Sequence, residues 1–162
     1  RQPTARIAVG VHTGKYLVVI FIPAAFTFVC PTEIWAFSDR IKEFRDINCE
    51  VVISSVDTKH TWLAWTNTKR SEGGLGTMNV PLLSDPTKKI AKDFGVLIDD
   101  ESDGDAGVAV RGTFIISDKG ILRHMTINDL PVGRNLDEVV VVMRGVGRGV
   151  RDGERVAVCE FE

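Results

Sequence analysis

Three cysteines are the residues best equipped for chemistry here, and Cys30 has the most informative setting, within Phe26-Thr27-Phe28-Val29-Cys30-Pro31-Thr32-Glu33. An apolar, strand-like run precedes it and a helix-like run follows. A thiol at such a junction meets unpaired amide hydrogens and the positive end of a helix dipole. Both favour the thiolate, the form of cysteine that attacks electrophiles. Pro31 suits the opening turn of that helix, where a missing N–H is no loss. The competing reading is packing, because a cysteine in an apolar run commonly serves as a small buried hydrophobe. Cys49 stands at the entrance to a second apolar run and reads as a packing residue, while Cys159 lies near the end of the chain. His12, His60 and His124 do not combine with the cysteines into a zinc spacing, and no structural metal is expected.

The elements that must position Cys30 follow from the hydrophobic pattern. Tyr16 to Ile22 is almost wholly apolar and rich in β-branched residues, as expected of a strand covered on both faces, and Pro23 ends it. Ile34, Phe37, Ile41, Phe44 and Ile47 recur every three or four positions, predicting a helix over 32–47. Val51-Val52-Ile53 predicts a second central strand, completing a strand–helix–strand unit and hence a parallel pair. His60 to Trp65 predicts a short helix that ends among Asn67, Gly73, Gly74 and Gly76. Asp85-Pro86 reads as a cap and first-turn proline for a helix ending at Gly95, with Ile90 and Phe94 on its buried face. Asp118-Lys119-Gly120 sits between two apolar runs and predicts an antiparallel hairpin. Asn135 and Glu138 have the spacing of a capping-box variant that opens a helix through Met143.

Composition narrows the function classes. With 162 residues, 44% of them hydrophobic, the chain can bury one core, and a single domain over 1–162 is expected. Twenty Lys and Arg against 22 Asp and Glu leave a formal charge of -2, so neither nucleic acid nor an anionic membrane is an expected partner. The run from Tyr16 to Phe28 is interrupted by Pro23 and Thr27, the chain's start lacks a signal-peptide pattern, and a cytoplasmic location is the expectation. The acidic stretch Asp99 to Gly107 resembles the start of a calcium loop, but Val110 stands where the closing glutamate would be needed, so it reads as a solvated loop. Gly145-Val146-Gly147-Arg148-Gly149 follows a helix rather than a strand, which argues against a nucleotide fingerprint.

An ordered series of motifs then becomes visible. Pro23-x-x-x-Thr27-x-x-Cys30-Pro31-Thr32-Glu33 is followed by Ala36-Phe37-Ser38-Asp39, Val56-Asp57, Leu63-Ala64-Trp65 and Gly73-Gly74-Leu75-Gly76. Pro81-Leu82-Leu83-Ser84-Asp85-Pro86, Arg111-Gly112-Thr113-Phe114-Ile115-Ile116 and Asn128-Asp129-Leu130-Pro131-Val132-Gly133-Arg134 complete it. From Gly14 to about Val142 the chain resembles the typical two-cysteine peroxiredoxins of the thioredoxin-like superfamily.

The resemblance implies an α/β, thioredoxin-like, three-layer fold with a mixed central sheet and helices on both faces. It implies that Cys30 is the peroxidatic cysteine, that Thr27 orients the peroxide, that Pro23 shields the site, and that Arg111 stabilises the thiolate and polarises the peroxide. Glu33 and Arg134 would hold the helix and a second arginine layer, and Trp65 would pack near the cysteine. Each has a plainer alternative. A threonine hydroxyl usually satisfies a nearby backbone group, a proline ends a strand, and an arginine with a glutamate makes an ordinary salt bridge.

Cys159 of a partner subunit is the implied resolving thiol, in a homodimer that can close into a decameric ring. Thioredoxin or a related dithiol protein is the implied reductant, with no cofactor. Around Cys159 the chain reads Gly153-Glu154-Arg155-Val156-Ala157-Val158-Cys159-Glu160, where the family usually has Gly-Glu-Val-Cys-Pro. This atypical short tail leaves open a one-cysteine peroxidase using an external thiol. A non-enzymatic peroxide sensor or holdase is the third reading.

Overall fold

In a computed structural model, which describes residues 14–27 and 30–152, the first apolar run forms strand β1, Tyr16–Phe21, buried along its length. Successive side chains of a strand point to opposite faces. Tyr16, Val18 and Ile20 accordingly enter one hydrophobic core, and Leu17, Val19 and Phe21 enter another. Such a strand is accommodated at the centre of a sheet covered on both sides. Around it lie β2 (Cys49–Ser55), β3 (Leu82–Ser84), β4 (Arg111–Ile116) and β5 (Leu122–Asn128), in the order β3-β2-β1-β4-β5.

Pairing directions bring distant segments to one rim. Strands β1, β2 and β3 are parallel, with Phe21 opposite Ser54 and Ser55 opposite Ser84. Strand β4 runs antiparallel to β1, so its first residue, Arg111, starts where β1 finishes. Strand β5 ends at Asn128, directly opposite Arg111. One end of the sheet therefore collects the segment after β1, the exit of β2, the start of β4 and the segment after β5.

The first core is covered by α1 (Cys30–Asp39), α2 (Ile41–Arg45), α3 (Lys59–Asn67) and α5 (Leu136–Asp152). The second is covered by the five-residue α4 (Lys89–Asp93) and the flanking Val96 and Ala109. The expected three layers and mixed sheet are present, with unequal outer layers.

Three local expectations need correction. The helix predicted over 32–47 starts at Cys30 and divides into α1 and α2. At Arg40 the backbone leaves helical geometry (φ -105°, ψ 15°), and the side chain is engaged by Glu43 and Asp137. Ile34, Phe37, Ile41 and Phe44 remain buried across the break, because a stripe records which face is covered and not whether the hydrogen-bond ladder is continuous.

Asp85-Pro86 opens a turn instead of a helix. Lys88 N–H bonds to Asp85 O at 2.9 Å, and α4 begins afterwards at Lys89. The buried Asp85 carboxylate still accepts from Ala91 N–H at 2.8 Å. The third correction is the glycine run 145–149, which lies inside α5 and not after a helix. The hairpin and the Asn135 cap form as expected; Asn135 Oδ1 accepts from Asp137 N–H at 2.9 Å.

Candidate active site

Cys30 is the first residue of α1 and is wholly buried. Its Sγ lies 3.4 Å from Arg111 Nη1. Glu33 stands one turn further on, which puts its side chain on the same helix face. Its carboxylate accepts from Arg111 Nη1 at 2.6 Å and from Arg134 at three positions, N at 2.7 Å, Nε at 3.1 Å and Nη2 at 3.1 Å.

The two guanidinium groups are fixed by backbone as well. Arg111 Nε donates to Leu130 O at 2.6 Å, while Arg134 Nη1 donates to Phe21 O at 2.7 Å and Gly112 O at 2.8 Å. The side chains of Arg111, Arg134 and Glu33 are each no more than 5% exposed, so solvent screens their charges little. Two cations facing one carboxylate leave a unit of positive charge uncompensated within the triad. An anion formed at Cys30 would meet that charge within hydrogen-bond reach of Arg111 Nη1, a group that also fixes its direction.

The loop entering α1 is shaped from the neighbouring strand. Ile22 N–H bonds to Ser54 O at 3.0 Å, Pro23 follows without a donor, and Ala25 N–H reaches Asp57 Oδ2 at 2.7 Å. Phe26 has φ 58°, a conformation costing roughly 1–3 kcal/mol for a residue other than glycine. Its ring centroid lies 5.5 Å from that of Trp65. Thr27 Oγ1 donates to Ala24 O at 3.2 Å, which is the local backbone use weighed for it above. Its oxygen can still accept a hydrogen bond through a lone pair.

Trp65 is wholly buried in the same core as Cys30 and donates from Nε1 to Gly73 O at 2.9 Å. Gly74 packs its α-carbon so tightly on Thr68 that an added Cβ would fall 2.0 Å from Thr68 O. Close backbone approach therefore requires glycine at 74, while Gly73 and Gly76 serve a different need, their positive φ of 78° and 63°.

Cys49 belongs to the far end of the sheet, opposite Tyr16, and its thiol is pushed up to about 12 by burial and then by the Glu50 charge. It is a protonated packing residue. Cys159 lies outside the described residues.

Cys30, Arg111, Glu33 and Arg134 are thus brought together, and Trp65 buttresses the loop before them. Sequence reasoning did not assign a role to Asp57 or to the Leu130 carbonyl. Asp57 follows β2 at the rim where β1 also ends, a relation visible only once the two strands are known to run parallel.

Comparison with known proteins gives a consistent picture. The model of the AhpC/TSA family matches residues 6–125. A peroxiredoxin of Cynops pyrrhogaster is 54% identical over 143 residues, 88% of this chain and 69% of that protein. Peroxiredoxin-2 of Bos taurus is 58% identical over 129 residues, 80% of this chain and 62% of its own length. Among solved structures, the reduced 2-Cys peroxiredoxin of Plasmodium vivax superposes with a TM-score of 0.81 at 39% identity, covering 86% of this chain and 69% of that one. The mitochondrial 2-Cys peroxiredoxin of Plasmodium falciparum gives 0.82 at 39% identity, covering 94% and 86%.

Proposed function

Since this chain belongs to the AhpC/TSA family, among the peroxiredoxins, we propose that it is a thiol-dependent peroxidase reducing hydrogen peroxide and small organic hydroperoxides through Cys30. The observation that carries the reading is the 3.4 Å approach of Arg111 Nη1 to Cys30 Sγ within a buried triad of net positive charge.

In the first step the Cys30 thiolate attacks one peroxide oxygen. An S–O bond forms as the O–O bond breaks, leaving Cys30 as sulfenic acid, and the departing hydroxide or alkoxide takes up a proton to become water or an alcohol. Arg111 sits where negative charge passes from sulfur to oxygen, and its planar donor fork can follow that charge. Thr27 offers an oxygen lone pair to orient the peroxide hydroxyl, and Pro23 lies on the same loop as a shield against water. Glu33 and Arg134 keep the helix and Arg111 in register.

Cys159 of a partner subunit then condenses with the sulfenic acid, releasing water and forming a disulfide. Thioredoxin or a related dithiol protein reduces that bond by thiol–disulfide exchange. The chain works as a single thioredoxin-like domain in a homodimer, and in a decameric ring at higher assembly. Among the described residues β5 is an edge strand, and it exposes Met125 and Ile127, which supports self-association. A cytoplasmic setting, where thiols are held reduced, suits the cycle.

Rapid mixing of wild type, Cys30→Ser and Cys159→Ser with peroxide tests this, with thiol loss and disulfide-linked dimer followed together. Oxidation should vanish in the first variant, and the dimer disulfide alone in the second. Unchanged oxidation without Cys30 would overturn the peroxidase assignment. Sustained turnover with an external thiol in Cys159→Ser would favour the one-cysteine cycle.

A further inference from the structure

We propose that Asp57 is a positioning residue for the peroxide reaction: its carboxylate holds the Pro23–Thr27 loop that leads into Cys30. The inference rests on the peroxidase reading above.

Asp57 is anchored from two strands. Ser55 Oγ donates to Asp57 Oδ2 at 2.8 Å and accepts from Asp57 N–H at 3.2 Å, while Ser84 Oγ from β3 donates to Asp57 O. From this fixed base the same Oδ2 accepts the Ala25 amide across the rim at 2.7 Å, a charge-assisted bond at the short end of the range.

Ala25 is the middle of the five-residue loop from Pro23 to Thr27. The bond from Ile22 to Ser54 fixes only the loop's entrance. Thr27 bonds to Ala24, inside the loop itself, so that contact does not tie the loop to the sheet. Phe26, next to Ala25, holds a left-handed backbone conformation that relaxes unless its surroundings impose it. Among the described residues, Asp57 grips the backbone beside it and the ring of Trp65 holds its side chain.

Losing the carboxylate would release the Ala25 amide and let Phe26 relax. Thr27, two residues beyond the anchor, and Pro23, two residues before it, would both shift relative to Cys30. The effect should fall on peroxide placement and spare the thiolate, whose partner Arg111 is held separately by Glu33 and Leu130.

The test compares wild type, Asp57→Ala and Asp57→Asn in two reactions of Cys30, oxidation by hydrogen peroxide and alkylation by iodoacetamide. Alkylation needs a thiolate but no peroxide placement. Asp57→Ala should lower the peroxide rate constant roughly 10- to 100-fold while alkylation stays within about twofold. Asp57→Asn should recover most of the peroxide rate, because its Oδ1 can accept from both Ala25 and Ser55. A folded Asp57→Ala with the wild-type peroxide rate would overturn the inference. So would equal loss in both reactions, or an Asn variant no better than Ala. If circular dichroism shows that Asp57→Ala does not fold, Asp57→Glu, which keeps the charge but moves the oxygen by one methylene, carries the same selective expectation. A wild type that alkylates but does not react with peroxide would overturn the peroxidase reading, and this inference with it.

Discussion

Cys30 meets an arginine 81 residues away, and the same Nη1 that approaches its sulfur also donates to Glu33. A lysine at 111 has no fork to serve the thiol, the carboxylate and the Leu130 carbonyl together. Arg111→Lys should therefore slow Cys30 oxidation roughly 100-fold in stopped-flow measurements. Near-wild-type rates would show that charge alone suffices. Cys49 makes the opposite case. Its thiol is raised from 9.0 to about 12 by burial, so it should stay unmodified by iodoacetamide at pH 8 while Cys30 reacts. Because the folded value lies above the unfolded one and the burdened form is the anion, this group's contribution to stability is intact below about pH 9. It is lost as pH rises from there toward 12. Urea midpoints of wild type and Cys49→Ala should converge over that interval, and parallel pH profiles would contradict the assignment. The packing role of Cys49 was legible in its apolar surroundings. The Arg111 contact was legible only through the resemblance, since an isolated arginine ahead of a strand carries no such mark.

At the scale of elements, local chemistry was readable wherever it was local. Gly120 at φ 75° closes the hairpin that Asp118-Lys119-Gly120 announced, and the Asn135 side chain caps α5. The continuous helix over 32–47 was not realised: Arg40, between α1 and α2, leaves helical geometry, and its side chain pairs with Glu43 and Asp137. Glycines separate the two kinds of constraint. Gly74 has Thr68 backbone atoms where a Cβ would stand, so Gly74→Ala should lower stability by about 1–3 kcal/mol and disturb the carbonyl run that holds Trp65. Gly145 and Gly147 lie in α5, and among the described residues no atom comes within 4 Å of a Cβ added at either. Alanine at each should raise stability by roughly 0.5–1 kcal/mol, read as an increased urea midpoint. A destabilising Gly145→Ala would mean that another surface packs closely there.

For the whole molecule, Glu33 joins α1 to β4 through Arg111 and to the segment before α5 through Arg134, while Arg134 reaches back to β1 at Phe21. Glu33→Gln would take from two buried guanidinium groups the carboxylate they share. It should cost about 3–5 kcal/mol in urea unfolding and slow Cys30 oxidation as well. Loss of activity at unchanged stability would show that the triad serves the thiol and not the packing. The amino-acid pattern by itself determined the buried central strand, the strand–helix junction that carries Cys30, and the hairpin. Those features follow from periodicity and turn chemistry within a few residues of each other. Tertiary structure decided that Arg111 reaches Cys30 while sharing Glu33 with Arg134, that Thr27 bonds its own loop, and that Asp57 grips Ala25. The reason is geometric: parallel pairing of β1 with β2 and antiparallel pairing with β4 bring four separate segments to one rim. No short window of sequence records which strand ends will meet there.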